Sequence, residues 1–413
     1  MCVMISKVNR TERIKIQALY VFVFLATCQQ ITLFNSQYFN LTWIGYFIYL
    51  IINLYTYKES FAFTKEINKY LFPIIIYWCL VIVMNYVFYE PDAKLIYAEI
   101  RQEFMGIVLM WMMINNIKQD LYKLNNVLNV FVASNLLLVF LYFLNIGVDY
   151  NSEGRVNIIL NNSNSIAYWF GISIIILINK ITMQKNISLY KKFSFVCIIV
   201  LFIIIIIKTG SRGGLITFLA GYIVYFLTIN KTLKTKIYIL IISFFIGVFG
   251  FNYIFKSPII QKRMKSQKED SSLGGRMPIW ENTIDLINEN PLFGVGPGKY
   301  EMRISENYGF KNTHNELLTI LVYTGFTGLS VMLWFQIKLF YNIYKSKFTT
   351  LTALKYSLFF MFLIYMITAG GALPSLTTWV IFGIIASTKD SKYINNKLIF
   401  NKYQNRYGIS KIR

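Results

Sequence analysis

A chain of 413 residues that is 56% hydrophobic and 15% charged lacks the charged surface of a soluble domain, where about a quarter of residues are charged. Its +22 balance, 41 Lys and Arg against 19 acids, does not point to nucleic acid, because the basic residues sit in short loops between apolar runs. Four cysteines, at the terminus or inside those runs, imply neither a disulfide framework nor a cysteine metal site.

The first apolar run is too long for a cleavable signal and lacks a small-residue cleavage site. Twelve candidate spans follow in chain order, near 16–34, 41–57, 70–88, 100–117, 126–147, 163–180, 193–208, 211–229, 236–255, 315–341, 354–371 and 374–388. Each approaches the roughly 20 residues that a hydrocarbon core demands, and the last is short, which leaves eleven or twelve. The expected fold is an all-α polytopic integral membrane protein with one long external loop between the ninth and tenth spans. With the N-terminus in the cytoplasm, about 26 of the 41 basic residues fall on the inner side, including seven between Lys389 and Arg413. That places both termini inside, with the tail able to meet anionic lipid.

Three regions result: N-terminal spans over 1–150, a central region over 151–341, and C-terminal spans with a basic tail over 342–413. The central region holds the external segments 148–162 and 256–314, the second about 59 residues long. Long loops with structure of their own are usually functional. Within it, Pro278 suits a first helical turn, Met277, Trp280, Ile284 and Ile287 mark one helical face, and Asn290-Pro291 stops the helix. The run "GVGPGKY" (294–300) lacks phosphate-loop spacing and reads as a tight turn. No internal repeat relates the two halves and the spans carry few ionisable residues, Glu103 among them near an end, which speaks against a transporter or a proton relay.

The residues that could do chemistry lie on the outer side. In "KTGSRGG", Lys208 to Gly214, Ser211 is a helix N-cap and Arg212 stands in the first turn, against the helix dipole. An anion bound there would relieve that conflict, and an arginine snorkelling to headgroups is the alternative. Arg276 repeats the pattern of arginine, glycines and helix start, so the two could clamp a pyrophosphate, with Lys299 and Arg303 adding charge. The single histidine, His314, stands between Asn312-Thr313 and Asn315-Glu316 at the membrane boundary. With no second histidine or nearby cysteine it does not suit a metal, and it suits a general base.

These stretches, in this order, resemble the bacterial O-antigen ligase/polymerase family. The resemblance rests on Ser211-Arg212-Gly213-Gly214, on Arg276 with Trp280 and "NPLFGVGPG" (290–298), and on His314-Asn315 followed by Gly325 and Gly328. "GRVNIILNNSNSIAYW" (154–169) is similar to the family's upstream Arg…Asn segment, which adds Arg155. The resemblance implies an inverting glycosyltransferase that needs no cofactor and draws a glycan from undecaprenyl pyrophosphate outside the cytoplasmic membrane. It implies that Arg212 and Arg276 bind pyrophosphate and that His314 deprotonates the acceptor hydroxyl, with Lys208, Ser211, Arg155, Asn315 and Lys299 as substrate-binding candidates. Many ligases carry a second histidine two residues earlier, where this chain has Asn312. The compact loop and that missing histidine favour a polymerase of O-antigen, capsular or exopolysaccharide repeats over a ligase acting on a lipid A-core. A lipid-linked glycan flippase or exporter is the alternative of another class. Expected partners are the carrier-linked donor, a glycan or lipid-linked acceptor, membrane lipids, and the pathway's flippase and chain-length regulator.

Overall fold

The computed structural model describes residues 2–28, 41–88, 90, 94–118, 120–150, 154–159, 161–183, 187–232, 236–237, 276–308, 313–346 and 350–387. Nearly all of the predicted span 236–255, residues 256–275 of the long external loop, Asn312 and the basic tail lie outside the described residues. Eleven of the predicted spans coincide with helices. They are α1 (Cys2–Leu25), α2 (Leu41–Leu54), α4 (Lys65–Val87), α5 (Lys94–Ile117), α6 (Leu121–Phe143), α7 (Ser163–Met183), α8 (Leu189–Thr209), α9 (Arg212–Thr228), α12 (Glu316–Tyr344), α13 (Thr350–Thr368) and α14 (Leu376–Ala386). The short α3 (Tyr57–Ser60) links α2 to α4, and α10 (Met277–Glu289) and α11 (Gly296–Tyr308) precede α12.

Among the described residues, α4, α6, α7, α8, α12 and α13 are long and apolar enough to cross a membrane, and α2, α9 and α14 are shorter apolar helices. The chain is thus a mostly helical, multi-pass membrane protein. Large apolar side chains such as Ile51, Ile223 and Ile337 face outward, as they do when the surrounding solvent is hydrocarbon. Inside, α13 packs along α9, α12 along α4, α14 along α5, and α7 lies between α8 and α9. Buried polar side chains tie these contacts. Asn116 donates to Tyr49 Oη at 2.7 Å, and Trp169 Nε1 donates to Thr377 Oγ1 at 2.9 Å.

Because successive helices run up and down, the bundle has two chemically distinct ends. One carries Lys15, Lys123 and their carboxylate partners Glu12 and Glu59. The other carries the C-terminal ends of α8 and α13 with the N-terminal ends of α7, α9 and α12, and it holds the arginines. At this end the chain departs from pure helix. β1 (Val148–Tyr150) and β2 (Val156–Ile158) pair as an antiparallel ribbon in the register Val148↔Ile158. Alternation explains it, since Val156 and Ile158 are buried and hold the strand to the bundle.

The external helices α10 and α11 pack on the bundle. Two glycine positions explain how. Helix α12 breaks at Gly325 (φ 61, ψ −161), and the opened backbone receives the "NPLF" segment. Phe326 N–H donates to Pro291 O at 2.9 Å, Thr327 N–H to Leu292 O at 3.1 Å, and Val295 N–H to Val322 O at 2.8 Å. A side chain at Gly325 would overlap the Leu292 carbonyl, and one at Gly294 (φ +73) would come within 2.6 Å of Thr324 N. The two glycine motifs are therefore the two halves of one backbone joint.

Two expectations change here. The buried face of α10 is Ile279, Thr283, Leu286 and Ile287, while Ile284 is exposed, because α10 packs against α11 and the first half of α12. The "GVGPGKY" run turns only as far as Val295. Gly296-Pro297-Gly298 then open α11, with Gly298 N–H held by Asn85 Oδ1 at 3.1 Å.

Candidate functional site

Helix α8 ends at Thr209, and Gly210 reverses the chain in the left-handed region (φ 57). Ser211 then caps α9, its Oγ accepting from Gly214 N–H at 3.0 Å. The same hydroxyl donates to Asn164 Oδ1 at 2.7 Å, which also accepts from Arg155 Nη2 at 2.7 Å. Arg155 Nε donates to Thr209 O at 3.0 Å, so its charge meets the negative end of α8. Asn164 thus fixes both Arg155, delivered by the ribbon, and Ser211. Ser211 is buried and its hydrogen-bonding is directed to the protein, so it shapes the site rather than facing a ligand. Lys208 occupies the last turn of α8, and Arg212 is exposed in the first turn of α9.

Arg276 stands directly before α10, and its Nη1 reaches Thr368 O, the last carbonyl of α13, at 3.4 Å. A methyl added at Gly213 would come within 3.1 Å of Thr368 Cβ, so the "SRGG" turn rests on that residue too. Thr368 is the shared point between the two arginine motifs.

His314 has a left-handed backbone (φ 53), unusual for a side chain of its size. Its neighbours hold it there. Trp280 Nε1 donates to Thr313 O at 2.7 Å, and Thr313 Oγ1 donates to Asn315 O at 2.8 Å. Asn315 Oδ1 caps α12 by accepting from Leu317 N–H at 3.1 Å and Leu318 N–H at 3.4 Å. The Asn315 carbonyl is therefore a cap rather than a ligand-facing group. Burial pushes the His314 imidazole down to about 4, and the positive charges of Arg276 and Arg155 add to the effect. At neutral pH the ring is uncharged, with both guanidinium groups near enough to act on it.

Behind His314 stand groups that sequence patterns did not single out. Glu316 is buried at 2% exposure, and its Oε2 accepts from Ala372 N–H at 2.8 Å, which ties the start of α12 to the loop after α13. Buried Glu103, together with Glu99 on α5, lies within electrostatic reach of Glu316, so the spans hold more carboxylate than their sequence suggested. Asn164, Thr368 and Ala372 are neutral residues far along the chain from the motifs they serve, and only the fold brings them in. Lys299 does not join the arginines by any bond seen here. It pairs with Glu289 at 2.6 Å and lies over the Phe88 ring at 5.4 Å, with Arg303 at 3.9 Å from the same carboxylate.

A neutral imidazole with guanidinium groups at one end of a helical bundle can hold a polyanion and take a proton from a hydroxyl beside it. Residues 197–333, about a third of the chain, match the family described as O-antigen ligase. That range holds the "SRGG" turn, Arg276, Trp280, His314, Gly325 and Gly328, while Arg155 and Asn164 precede it. The chain is also 28% identical over 175 residues to an uncharacterized protein of Haemophilus influenzae, a match covering 37% of this chain and 43% of the relative.

Proposed function

With residues 197–333 identified as an O-antigen ligase-family domain, we propose that the protein is a polysaccharide polymerase. It joins oligosaccharide repeats carried on undecaprenyl pyrophosphate, at the outer face of the cytoplasmic membrane. The observation that carries the reading is the uncharged His314 under the influence of Arg276 and Arg155. The concentration of basic loops at the opposite end of the bundle supports the orientation, with that end in the cytoplasm.

The chemistry follows from these groups. An acceptor hydroxyl against His314 gives its proton to a ring nitrogen as its oxygen bonds to the donor's anomeric carbon. The bond from that carbon to the pyrophosphate oxygen breaks, its electron pair leaves with the pyrophosphate, and the configuration inverts. Arg276 and Arg212 stabilise the leaving charge, and the proton on His314 passes to water. A bound pyrophosphate also offsets the positive charges that hold the imidazole down, so His314 becomes a stronger base once the donor is in place.

The same steps with a completed core as acceptor are the ligase reaction, which the family description favours. The two readings separate in a strain lacking the protein, complemented with wild type, Arg276→Ala or His314→Ala. A surface ladder that collapses to one attached repeat identifies a polymerase. Full-length polymer stranded on the carrier identifies a ligase. An unchanged pattern in the deletion itself refutes both.

A further inference from the structure

Two spanning helices measure where the hydrocarbon ends on the arginine side. Counted from the basic end, Lys65 to Met84 on α4 and Tyr344 to Phe326 on α12 each rise about 28 Å, close to the roughly 30 Å of a hydrocarbon core. The rings of Phe72 and Trp334, 5.8 Å apart, keep the two helices in register. On α12, Tyr344, Phe340, Ile337, Leu333, Ser330 and Phe326 form one exposed stripe at helical spacing, and it stops there. Beyond the break at Gly325, none of Leu317, Leu318 and Leu321 is exposed. Both measures end at the "NPLFGVG" segment. A side chain at Gly296 would come within 2.5 Å of Met84 O, and Val295 N–H donates to Val322 O at 2.8 Å. The backbone bonds from Phe326 and Thr327 hold Pro291 and Leu292 at the same level. Leu292 is 60% exposed there, Phe293 47% and Phe326 53%, so three large apolar side chains are bare where the hydrocarbon ends.

We propose that Leu292 and Phe293, with Phe326, form an interfacial anchor that inserts among the acyl chains of the leaflet on the arginine side. Interfacial elements of this kind bury their apolar face about 5–10 Å into the boundary between headgroups and acyl chains. Lipid is the occupant because Phe326 continues the outward stripe of α12 that already meets hydrocarbon. Charge agrees with this. The exposed acids of α10, Glu281, Asp285 and Glu289, end before the corner, and no charged residue lies between Asn290 and Gly298. The anchor ties the end of α10, the helix that Arg276 precedes, to the bilayer as well as to the bundle. It rests on the geometry of the joint and not on the proposed glycosyl transfer.

The test uses the full chain with its four native cysteines replaced, reconstituted in vesicles of phosphatidylcholine and phosphatidylglycerol. A fluorophore is attached to one new cysteine at a time. Phe293→Cys and Leu292→Cys probe the corner, Ile337→Cys probes the middle of the α12 stripe, and Glu281→Cys probes the exposed side of α10. Both corner positions are exposed, so neither variant removes a core side chain. The quenchers are iodide on both sides of the vesicle and lipids brominated either near the headgroup or near the middle of the acyl chain. Both corner probes should be quenched several-fold more by lipid brominated near the headgroup than by iodide. The Ile337 probe should respond most to the deeper bromine, and the Glu281 probe to iodide. Stronger quenching of both corner probes by iodide than by either lipid would put the corner in water and overturn the anchor. Protection from every quencher would mean that protein covers the corner, a second copy or another segment of this chain, and would overturn it equally.

Discussion

Gly325→Ala should detach the external helices from the bundle. The backbone there is at φ 61, ψ −161, a region open essentially to glycine, and forcing alanine into it costs about 1–3 kcal/mol. The new methyl also overlaps the Leu292 carbonyl, so the "NPLF" segment must retreat. Its retreat breaks the bonds from Phe326 N–H to Pro291 O and from Thr327 N–H to Leu292 O, about 1 kcal/mol each. The sum, about 3–5 kcal/mol, falls on one joint rather than on the whole bundle. Limited trypsin digestion reads the detachment through Arg303, which is exposed on α11. Gly325→Ala should be cut there many times faster than wild type and should lose glycan transfer, because α10 carries Arg276 at its start. If Gly325→Ala resists trypsin as wild type does, the backbone joint does not hold the loop.

Three further outcomes follow from the site. Since the His314 imidazole is held down to about 4, kcat/KM for transfer should fall on the acid side near that value rather than near 6.5, and Arg155→Gln should move the fall upward. An unmoved acid limb in Arg155→Gln would remove the electrostatic link. The sign for stability is set by the same residue. The unfolded chain takes a proton below 6.5 and the folded chain only below about 4. Stability from this group is therefore undiminished above pH 6.5 and falls as pH drops toward 4, by about 3 kcal/mol in all, and His314→Gln should flatten that part of an unfolding profile. Glu316→Gln keeps one acceptor for Ala372 N–H but sets an NH₂ against the Gly371 and Leu373 N–H groups that the carboxylate also receives, and should be less stable than wild type in thermal unfolding. Glu316→Ala strands that N–H and should lose about 2 kcal/mol.

The helices were legible because hydrocarbon imposes a length and a composition, and α4, α7, α8 and α12 all satisfy both. The helix starts beside Arg212 and Arg276 were legible from the Ser211 cap and from Pro278. Ser211 was legible as a cap and proved to be one. The rest depends on contacts that carry no local pattern. Nothing in the sequence around Asn164 says that its carbonyl joins Arg155 to Ser211, and nothing near Thr368 says that Arg276 will reach it. The face of α10 was misjudged for a similar reason. The helix offers apolar residues on more than one face, Trp280 and Ile284 among them, but the partner surface on α12 selects Ile279, Thr283, Leu286 and Ile287. No local pattern marks the pairing of Lys299 with Glu289, ten residues earlier.

Arg155 and Arg276 both meet the end of a helix, and the bonds they make there differ in length, which bears on their roles in the proposed reaction. Arg155 and Arg276 each point at the last carbonyl of a helix, Thr209 O and Thr368 O, where the dipole presents about half a negative charge. Arg155 makes two short bonds, at 3.0 and 2.7 Å, to partners that are themselves fixed. Arg276 reaches its carbonyl only at 3.4 Å, near the limit of a useful bond. A phosphate oxygen outcompetes a carbonyl for guanidinium, so Arg276 can turn from Thr368 O to a pyrophosphate, while Arg155, bridging Asn164 and Thr209, stays as a fixed positive wall. Lysine should then fail differently at the two places. Arg276→Lys retains a point charge that can follow the ligand and should lower kcat more than it raises KM, because the forked contact to the leaving group is lost. Arg155→Lys cannot bridge Asn164 and Thr209 together, so it should loosen the "SRGG" turn and shift the His314 acid limb even where donor binding survives. If both lysine variants show the same loss in the same parameter, the arginines act as one clamp rather than as a mobile hand and a fixed wall.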